Sequence, residues 1–68
     1  MQELGAIMSN KLNTLAALLY ESNGRLFNSE IDFKNSSHPE ERAWWNRALI
    51  AWSFIHNDPG ILKYQVES

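Results

Sequence analysis

The chain has 68 residues, of which 44% are hydrophobic, and six basic against eight acidic side chains give it a formal net charge of -2. The charges are scattered, so the sequence lacks the basic stripe that follows a phosphate backbone, and nucleic-acid binding is disfavoured. Residues 1–68 suffice for a single small domain with a marginal core, and without cysteine no disulfide can compensate. We therefore expect an all-α helical hairpin that is stabilised by association, as a homodimer with a four-helix core.

The amino terminus, MQELGAI, lacks the basic region and the apolar run of a signal peptide. The longest uncharged apolar stretch is shorter than the roughly 18 to 20 residues that span a bilayer. Together with the absence of cysteine, this predicts a cytoplasmic protein with no membrane partner. Residues 1–8 have two interpretations: a flexible extension ahead of a natural start at Met8, or the beginning of the first helix.

The first helix is predicted over residues 9–23, and Gly24 supplies a left-handed stop. Leu4 and Met8 lie on the same helical face as the residues that follow, so an earlier start is an alternative, although Gly5 weakens it. The apolar residues that recur at helical spacing are Leu12, Leu15, Ala16 and Leu19.

Residues 25–37, RLFNSEIDFKNSS, separate the two predicted helices. The pair Phe27 and Ile31 fits a short helix, whereas Ile31 and Phe33 fit a strand, so periodicity leaves both open. An isolated two-stranded element would have little to pair with. We expect a loop with one helical turn, in which the aromatic residues close one end of a helical hairpin.

The second helix is marked at both ends. Ser37 and Glu40 have the spacing of a capping box, and Pro39 falls in the first turn, where its missing N–H costs little. Glu40 and Glu41 would lie near the positive end of the helix dipole. The stop is Asn57, Asp58, Pro59 and Gly60. The tail after this stop fits either one more helical turn or a frayed end.

The second helix is apolar around most of its circumference. One stripe should face the first helix and consists of Trp45, Ala48, Leu49, Trp52 and Ile55. A single neighbouring helix cannot also cover the apolar residues outside this stripe. The missing cover comes from a second copy, from a different protein, or from residues 26–36 folding back. The predicted interface comprises Trp44, Trp45, Leu49, Ile50, Ala51, Trp52, Phe54 and Ile55.

Two arginines on the same helix, Arg42 and Arg47, have the spacing to lie over indole rings of the neighbouring tryptophans. The alternative is that both are solvated surface charges.

The residue types needed for catalysis are missing or badly spaced. His38 and His56 would lie about 27 Å apart along the predicted helix, too far to share a metal ion. His56 is expected to act at the negative helix end as a cap. The adjacent Glu40 and Glu41 point about 100° apart on a helix, which is unsuitable for paired acid–base work. The serines lack a G-x-S-x-G motif and the glycines form no phosphate loop. We predict no enzyme, no catalytic residue, no cofactor and no metal.

A helix-turn-helix-like DNA-binding regulator is the alternative function. Its recognition helix needs exposed polar and basic residues, and the second helix offers only Arg42 and Arg47. A dimer would concentrate further basic residues if they share a face: Lys11, Arg25, Lys34 and Lys63.

The segment MSNKLNTLAALLYESNGRLFNSEIDF, which starts at Met8, resembles short proteins of the lambdoid bacteriophage early region, encoded between the recombination and excision genes. The resemblance implies a non-enzymatic accessory factor that influences phage development or host physiology by binding another host or phage protein in the host cytoplasm. It also implies a compact helical dimer. It carries over no catalytic or binding residue, because no motif of that group can be matched here.

Overall fold

A computed structural model describes residues 4–68, and the regular structure of this part is entirely helical. Helix α1 spans Ala6–Ser22, helix α2 spans Pro39–Ile55, and a 3-10 helix spans Pro59–Tyr64. The two long helices pack together as a hairpin, and the 3-10 helix packs on α2. The predicted all-α helical hairpin is therefore confirmed, whereas the homodimer stays a prediction. Within residues 4–68, neither long helix has the length and apolar content needed to cross a membrane.

Helix α1 begins three residues before the predicted start. Gly5 is its N-cap, so this glycine stands outside the helix interior and does not weaken it there. Leu4 and Met8 pack against the core from this end, while residues 1–3 lie outside the part that the structure describes. At the other end Gly24 adopts φ +88°, the left-handed conformation predicted for a helix stop.

The first turn of α2 agrees with the prediction, but the cap does not. Pro39, Glu40 and Glu41 lie in the first turn, as expected. The predicted capping box of Ser37 and Glu40 is wrong, because the N-cap is His38 and its side chain makes no capping hydrogen bond. The side-chain hydrogen bonds at this helix start come from Ser36. Its hydroxyl accepts a hydrogen bond from the His38 N–H at 3.0 Å and donates one to the Glu41 carboxylate.

The end of α2 is a tight left-handed stop at the predicted place. The helix finishes at Ile55, and the next two residues are the C-cap His56 and Asn57, whose φ is +51°. The Asp58 N–H then donates to the Ser53 carbonyl at 2.9 Å, which is the bond expected of a Schellman motif. Asparagine is one of the few residues other than glycine that tolerate this conformation.

The core lies between the two helices and is closed by one residue from each irregular or short element. Leu12 and two alanines of α1 face the tryptophans of α2, and the small side chains let the helices approach closely. Phe33 closes the core from the segment between the helices, and Ile61 closes it from the 3-10 helix. The buried residues are Leu12, Ala16, Ala17, Phe33, Trp44, Trp45, Ala48, Leu49 and Ile61.

The segment between the helices folds back over the hairpin without the helical turn that was predicted. Its attachment is the Asn13 side chain of α1, whose amide donates to the Ile31 carbonyl at 2.7 Å and accepts from the Phe33 N–H at 3.0 Å. An amide side chain thus pairs with the main chain as a neighbouring strand would, which satisfies these polar groups without a helix. Phe33 is fully buried as a result, whereas Phe27 stays 45% exposed.

The carboxyl-terminal residues form the 3-10 helix and then an extended stretch. The 3-10 helix corresponds to the predicted alternative of one further helical turn. Asn46 of α2 holds the extended stretch, since its amide donates to the Val66 carbonyl at 2.6 Å and accepts from the Val66 N–H at 2.8 Å. Two asparagines, one on each long helix, therefore attach the two segments that cover the core.

Replacing the Asn13 amide should destabilise the fold more than its position on a helix surface suggests. Asn13→Ala leaves the Phe33 N–H and the Ile31 carbonyl without their partner, and we expect a loss of about 1 to 3 kcal/mol in the free energy of unfolding. The matched control, Asn10→Ala on the exposed side of the same helix, should change it by less than about 0.5 kcal/mol. Urea denaturation followed by tryptophan fluorescence measures both. Equal stabilities of the two variants would contradict the role given to Asn13.

Candidate functional site

Three large apolar residues of α2 lie in the chain's own core. Trp45 is 1% exposed, Leu49 is fully buried, and Trp44 is 8% exposed. The Tyr20 ring of α1 meets Trp44 edge to face, with 6.0 Å between ring centroids. These three members of the predicted interface are thus covered within one chain.

The carboxyl-terminal half of α2 presents large apolar side chains to solvent. Ile50 is 51% exposed, Phe54 is 88% exposed and Ile55 is 68% exposed, and we call these three residues the exposed patch. Ile50 and Phe54 are four residues apart and are therefore neighbours on the helix surface. Two further members of the predicted interface, Ala51 and Trp52, are half-buried beside the patch. The structure thus divides the predicted interface into a buried group and an accessible group.

Ile55 departs from the predicted orientation of α2. The pattern placed it on the stripe that faces the first helix, with Trp45, Ala48, Leu49 and Trp52. The first three of these are buried and Trp52 packs against the core, so the stripe holds along most of the helix. Ile55 is the last helical residue, directly before the left-handed stop, and there its side chain is mostly in solvent.

The end of the patch carries a ring pair. The His56 imidazole lies on the Trp52 indole with 4.1 Å between ring centroids and an interplanar angle of 32°. His56 is also the C-cap of α2, and its N–H donates to the Trp52 carbonyl at 2.9 Å. The histidine thus occupies the helix end, where the sequence placed it as a cap, and it shields one part of Trp52.

The two arginines of α2 have different partners. The Arg47 guanidinium lies over the Trp44 ring, with its carbon 4.3 Å from the ring centroid, which confirms the stacking alternative for this residue. Arg42 does not stack; its guanidinium donates to the Ser36 carbonyl at 2.7 Å and to the Glu67 carbonyl at 2.6 Å. Arg42 therefore ties both covering segments to the start of α2.

Three of the four other basic residues named above contact a carboxylate or an aromatic ring: Arg25, Lys34 and Lys63. Arg25 pairs with Glu40 at 2.6 Å on the surface, where such a pair contributes little to stability. The Lys34 ammonium lies 5.8 Å from the Trp45 ring centroid, and the Lys63 ammonium lies 5.3 Å from that of Tyr64. These contacts place the charges beside aromatic rings and a carboxylate.

An open cleft of about 380 Å³ lies between α1 and the segment that Asn13 holds, with part of Trp45 in its wall. Its polar side chains bond to one another and to the main chain: Asn13 holds Ile31 and Phe33, and the Asn35 amide donates to Asp32 at 3.0 Å. Within residues 4–68, no three histidine, cysteine, aspartate or glutamate side chains are grouped closely enough to hold a metal ion. The hydrogen bonds of the cleft hold the segment on α1 or lie within it, so the polar groups that make them serve the fold.

The sequence reasoning missed the residues that fix the covering segments, Asn13 and Asn46. Both lie in helix interiors, where asparagine is a poor helix former. This mismatch is a signal, but it does not single out these two residues, because Asn10 also lies in the interior of α1 and is exposed. The partners of the amides, in contrast, depend on the tertiary fold.

No protein-family model, curated protein or solved structure matches the chain. The exposure of the α2 residues and the contacts that they make are therefore the observations that bear on function.

Removing the Arg47 side chain should weaken the fold modestly by uncovering the Trp44 ring. Arg47→Ala loses both the charge over the ring and the apolar stem, and we expect a loss of about 1 kcal/mol in the free energy of unfolding. Arg47→Met keeps an apolar stem without the charge and should lose about half as much. Urea denaturation compares the three chains. Wild-type stability in Arg47→Ala would show that the stacking contributes nothing.

Proposed function

We propose that the chain is a small non-enzymatic accessory protein that acts by protein–protein interaction, and that the exposed patch on α2 is its contact surface. The observation that carries the proposal is the exposure of Ile50, Phe54 and Ile55 on the same helix in which Trp44, Trp45 and Leu49 are buried. The partner that best fits the patch is a second copy, which makes the working form a homodimer.

The size and composition of the patch support an interface. The three side chains expose an apolar area on the order of 400 Å², which lies in the range of functional patches on small proteins. The sequence from Ala48 to Asn57 contains no aspartate, glutamate, lysine or arginine, so association removes no full side-chain charge of this stretch from water. Phenylalanine beside aliphatic residues is typical of the desolvated centre of an interface.

A second copy fits because the patch can pair with itself. If two α2 helices cross antiparallel about a twofold axis near Trp52, Phe54 of each copy meets Ile50 of the other. Such an interface is isologous, the commonest arrangement in homo-oligomers. The marginal core also favours a dimer, because a 68-residue chain without cysteine is stabilised by any further apolar burial.

The biological setting that we propose follows from the resemblance to lambdoid phage early-region proteins. An accessory role in phage development or in the modulation of host physiology, exerted in the host cytoplasm, requires binding and no catalysis. A surface for a host or phage protein is compatible with the same patch when it is not paired with a second copy.

The alternative of a helix-turn-helix-like regulator has less support. The two long helices are joined by residues 23–38, far longer than the turn of three to four residues in that motif. Of the two arginines on α2, Arg42 is bound to main-chain carbonyls and Arg47 lies on Trp44. Neither is left as a simple surface charge for phosphates or base edges.

Replacing Phe54 should weaken self-association specifically. For Phe54→Ser we expect the dimer dissociation constant to rise by about thirtyfold or more, because a central aromatic side chain contributes about 2 kcal/mol or more to an interface. Leu26→Ser is the matched control, since Leu26 is also 88% exposed but lies outside the patch. Sedimentation equilibrium over a wide concentration range measures both constants.

Two outcomes of this experiment would contradict the proposed homodimer. The first is a wild-type chain that stays monomeric at every concentration. The second is a dimer that Leu26→Ser weakens as much as Phe54→Ser. In the monomeric case the patch stays open to a foreign partner, and Phe54→Ser then becomes the variant that should lose that partner.

A further inference from the structure

The carboxyl-terminal segment, residues 59–68, is held on α2 almost as a separate ligand would be. Side chains of α2 bind its main chain in four hydrogen bonds. Two join Asn46 to Val66, the Arg42 guanidinium donates to the Glu67 carbonyl at 2.6 Å, and the Trp45 indole N–H donates to the Tyr64 carbonyl at 3.2 Å. Bonds to main-chain groups fix an extended segment whichever copy of the chain supplies it.

Apolar side chains of the same segment complete its attachment. Ile61 is 4% exposed and belongs to the core, and Leu62, Tyr64 and Val66 pack against that core as partly buried neighbours. The segment therefore brings its own anchors and its own hydrogen-bonding groups to α2.

A short connection joins this segment to α2. It consists of residues 56–58, and at its centre Asn57 is held at φ +51°, a conformation that asparagine tolerates better than most residues but that only glycine adopts freely. Opening the connection would release that conformation and give up the bond from the Asp58 N–H to the Ser53 carbonyl. Short connections under strain favour the exchange of a terminal element between copies, because the exchanged element regains all of its contacts in the other copy.

The exposed patch lies directly before this connection, since Phe54 and Ile55 are the last residues of α2. Two copies that exchange their carboxyl-terminal segments must approach each other at the connection, so their patches come together there. The patch alone, on the order of 400 Å², provides about half of the roughly 800 Å² per partner of a standard stable interface. Exchange turns the contacts of residues 59–68 into contacts between copies without changing their number, so the net gain over two closed chains is the burial of the two patches and the release of Asn57.

From these observations we infer that the dimer is formed by exchange of residues 59–68, with each copy's segment bound by Asn46, Arg42 and Trp45 of the other. This inference rests on the proposed self-association and specifies how it occurs. The connection at residues 56–58 opens, and the α2 side chains that bind the segment make the same hydrogen bonds as before. The exposed patches form the new contact between the copies.

A pair of variants at Asn57 tests the opening of the connection. Asn57→Gly relieves the left-handed residue in the closed form and should weaken the dimer, whereas Asn57→Ala strains the closed form and should strengthen it. Because each dimer contains two connections, we expect the two dissociation constants to differ by at least about tenfold, measured by sedimentation equilibrium. Equal constants for the two variants would overturn the inference.

An isotope-filtered NMR experiment on the wild-type chain tests where the segment binds. Equal amounts of labelled and unlabelled protein are unfolded and refolded together, and contacts are sought between the Trp45 indole N–H of labelled chains and Tyr64 or Val66 of unlabelled chains. Exchange predicts these contacts between copies. A dimer that shows them only within one copy overturns exchange but leaves self-association through the patch intact. A monomer at NMR concentration overturns both exchange and the homodimer, while binding of a foreign partner by the patch is unaffected.

Discussion

Helix α2 carries apolar side chains around most of its circumference, and the rest of the structure is arranged by the need to cover them. A single helix can bury one face of a neighbour, and α1 does so with Leu12 and two alanines against Trp45 and Leu49. The other faces of α2 must be covered by residues outside the two long helices. Two segments without α-helical structure supply part of this cover, and Ile50, Phe54 and Ile55 of α2 stay exposed.

Covering a helix with irregular chain creates a second requirement, because the main-chain polar groups of that chain must be bonded once water is excluded. Side-chain amides and a guanidinium meet it here. Asn13 pairs with one covering segment, Asn46 pairs with the other, and Arg42 bonds to a carbonyl of each. Among residues 4–68, no buried side-chain nitrogen or oxygen lacks a hydrogen-bond partner. Polar residues of the helices thus make the aromatic core possible.

The exposed patch follows from where this cover ends. The bonds of Asn46 and Arg42 hold the extended tail beside the first half of α2, next to Trp45. After Ile55 the chain turns sharply at Asn57 and starts the 3-10 helix, leaving Phe54 88% exposed. Binding at this surface would therefore draw on residues that the intrachain core does not use.

The sequence predicts the elements well because their signals are local. Gly24, Pro39 and the run from Asn57 to Gly60 act through their own backbone preferences, and the helix ends lie close to where they indicate. The inward stripe of α2 is also predictable, since it depends on helical periodicity alone.

What the sequence does not predict depends on neighbours that are distant along the chain. The N-cap is His38, and Ser36 rather than Ser37 bonds to both His38 and Glu41, although either serine fits the local pattern. Trp44 lies off the inward stripe, yet it is buried by Tyr20 and Arg47. Its burial depends on how the helices cross, which periodicity does not define. For the same reason the predicted interface contained three residues that one chain buries by itself.

Association through the uncovered end of α2 can be tested by a dilution series of uniformly nitrogen-15-labelled wild-type protein, followed by two-dimensional NMR. We expect concentration-dependent shifts concentrated in residues 50–58, with the amides of α1 around Thr14 and Leu18 unchanged. Spectra that do not change with concentration, or changes centred on the exposed side of α1, would contradict it.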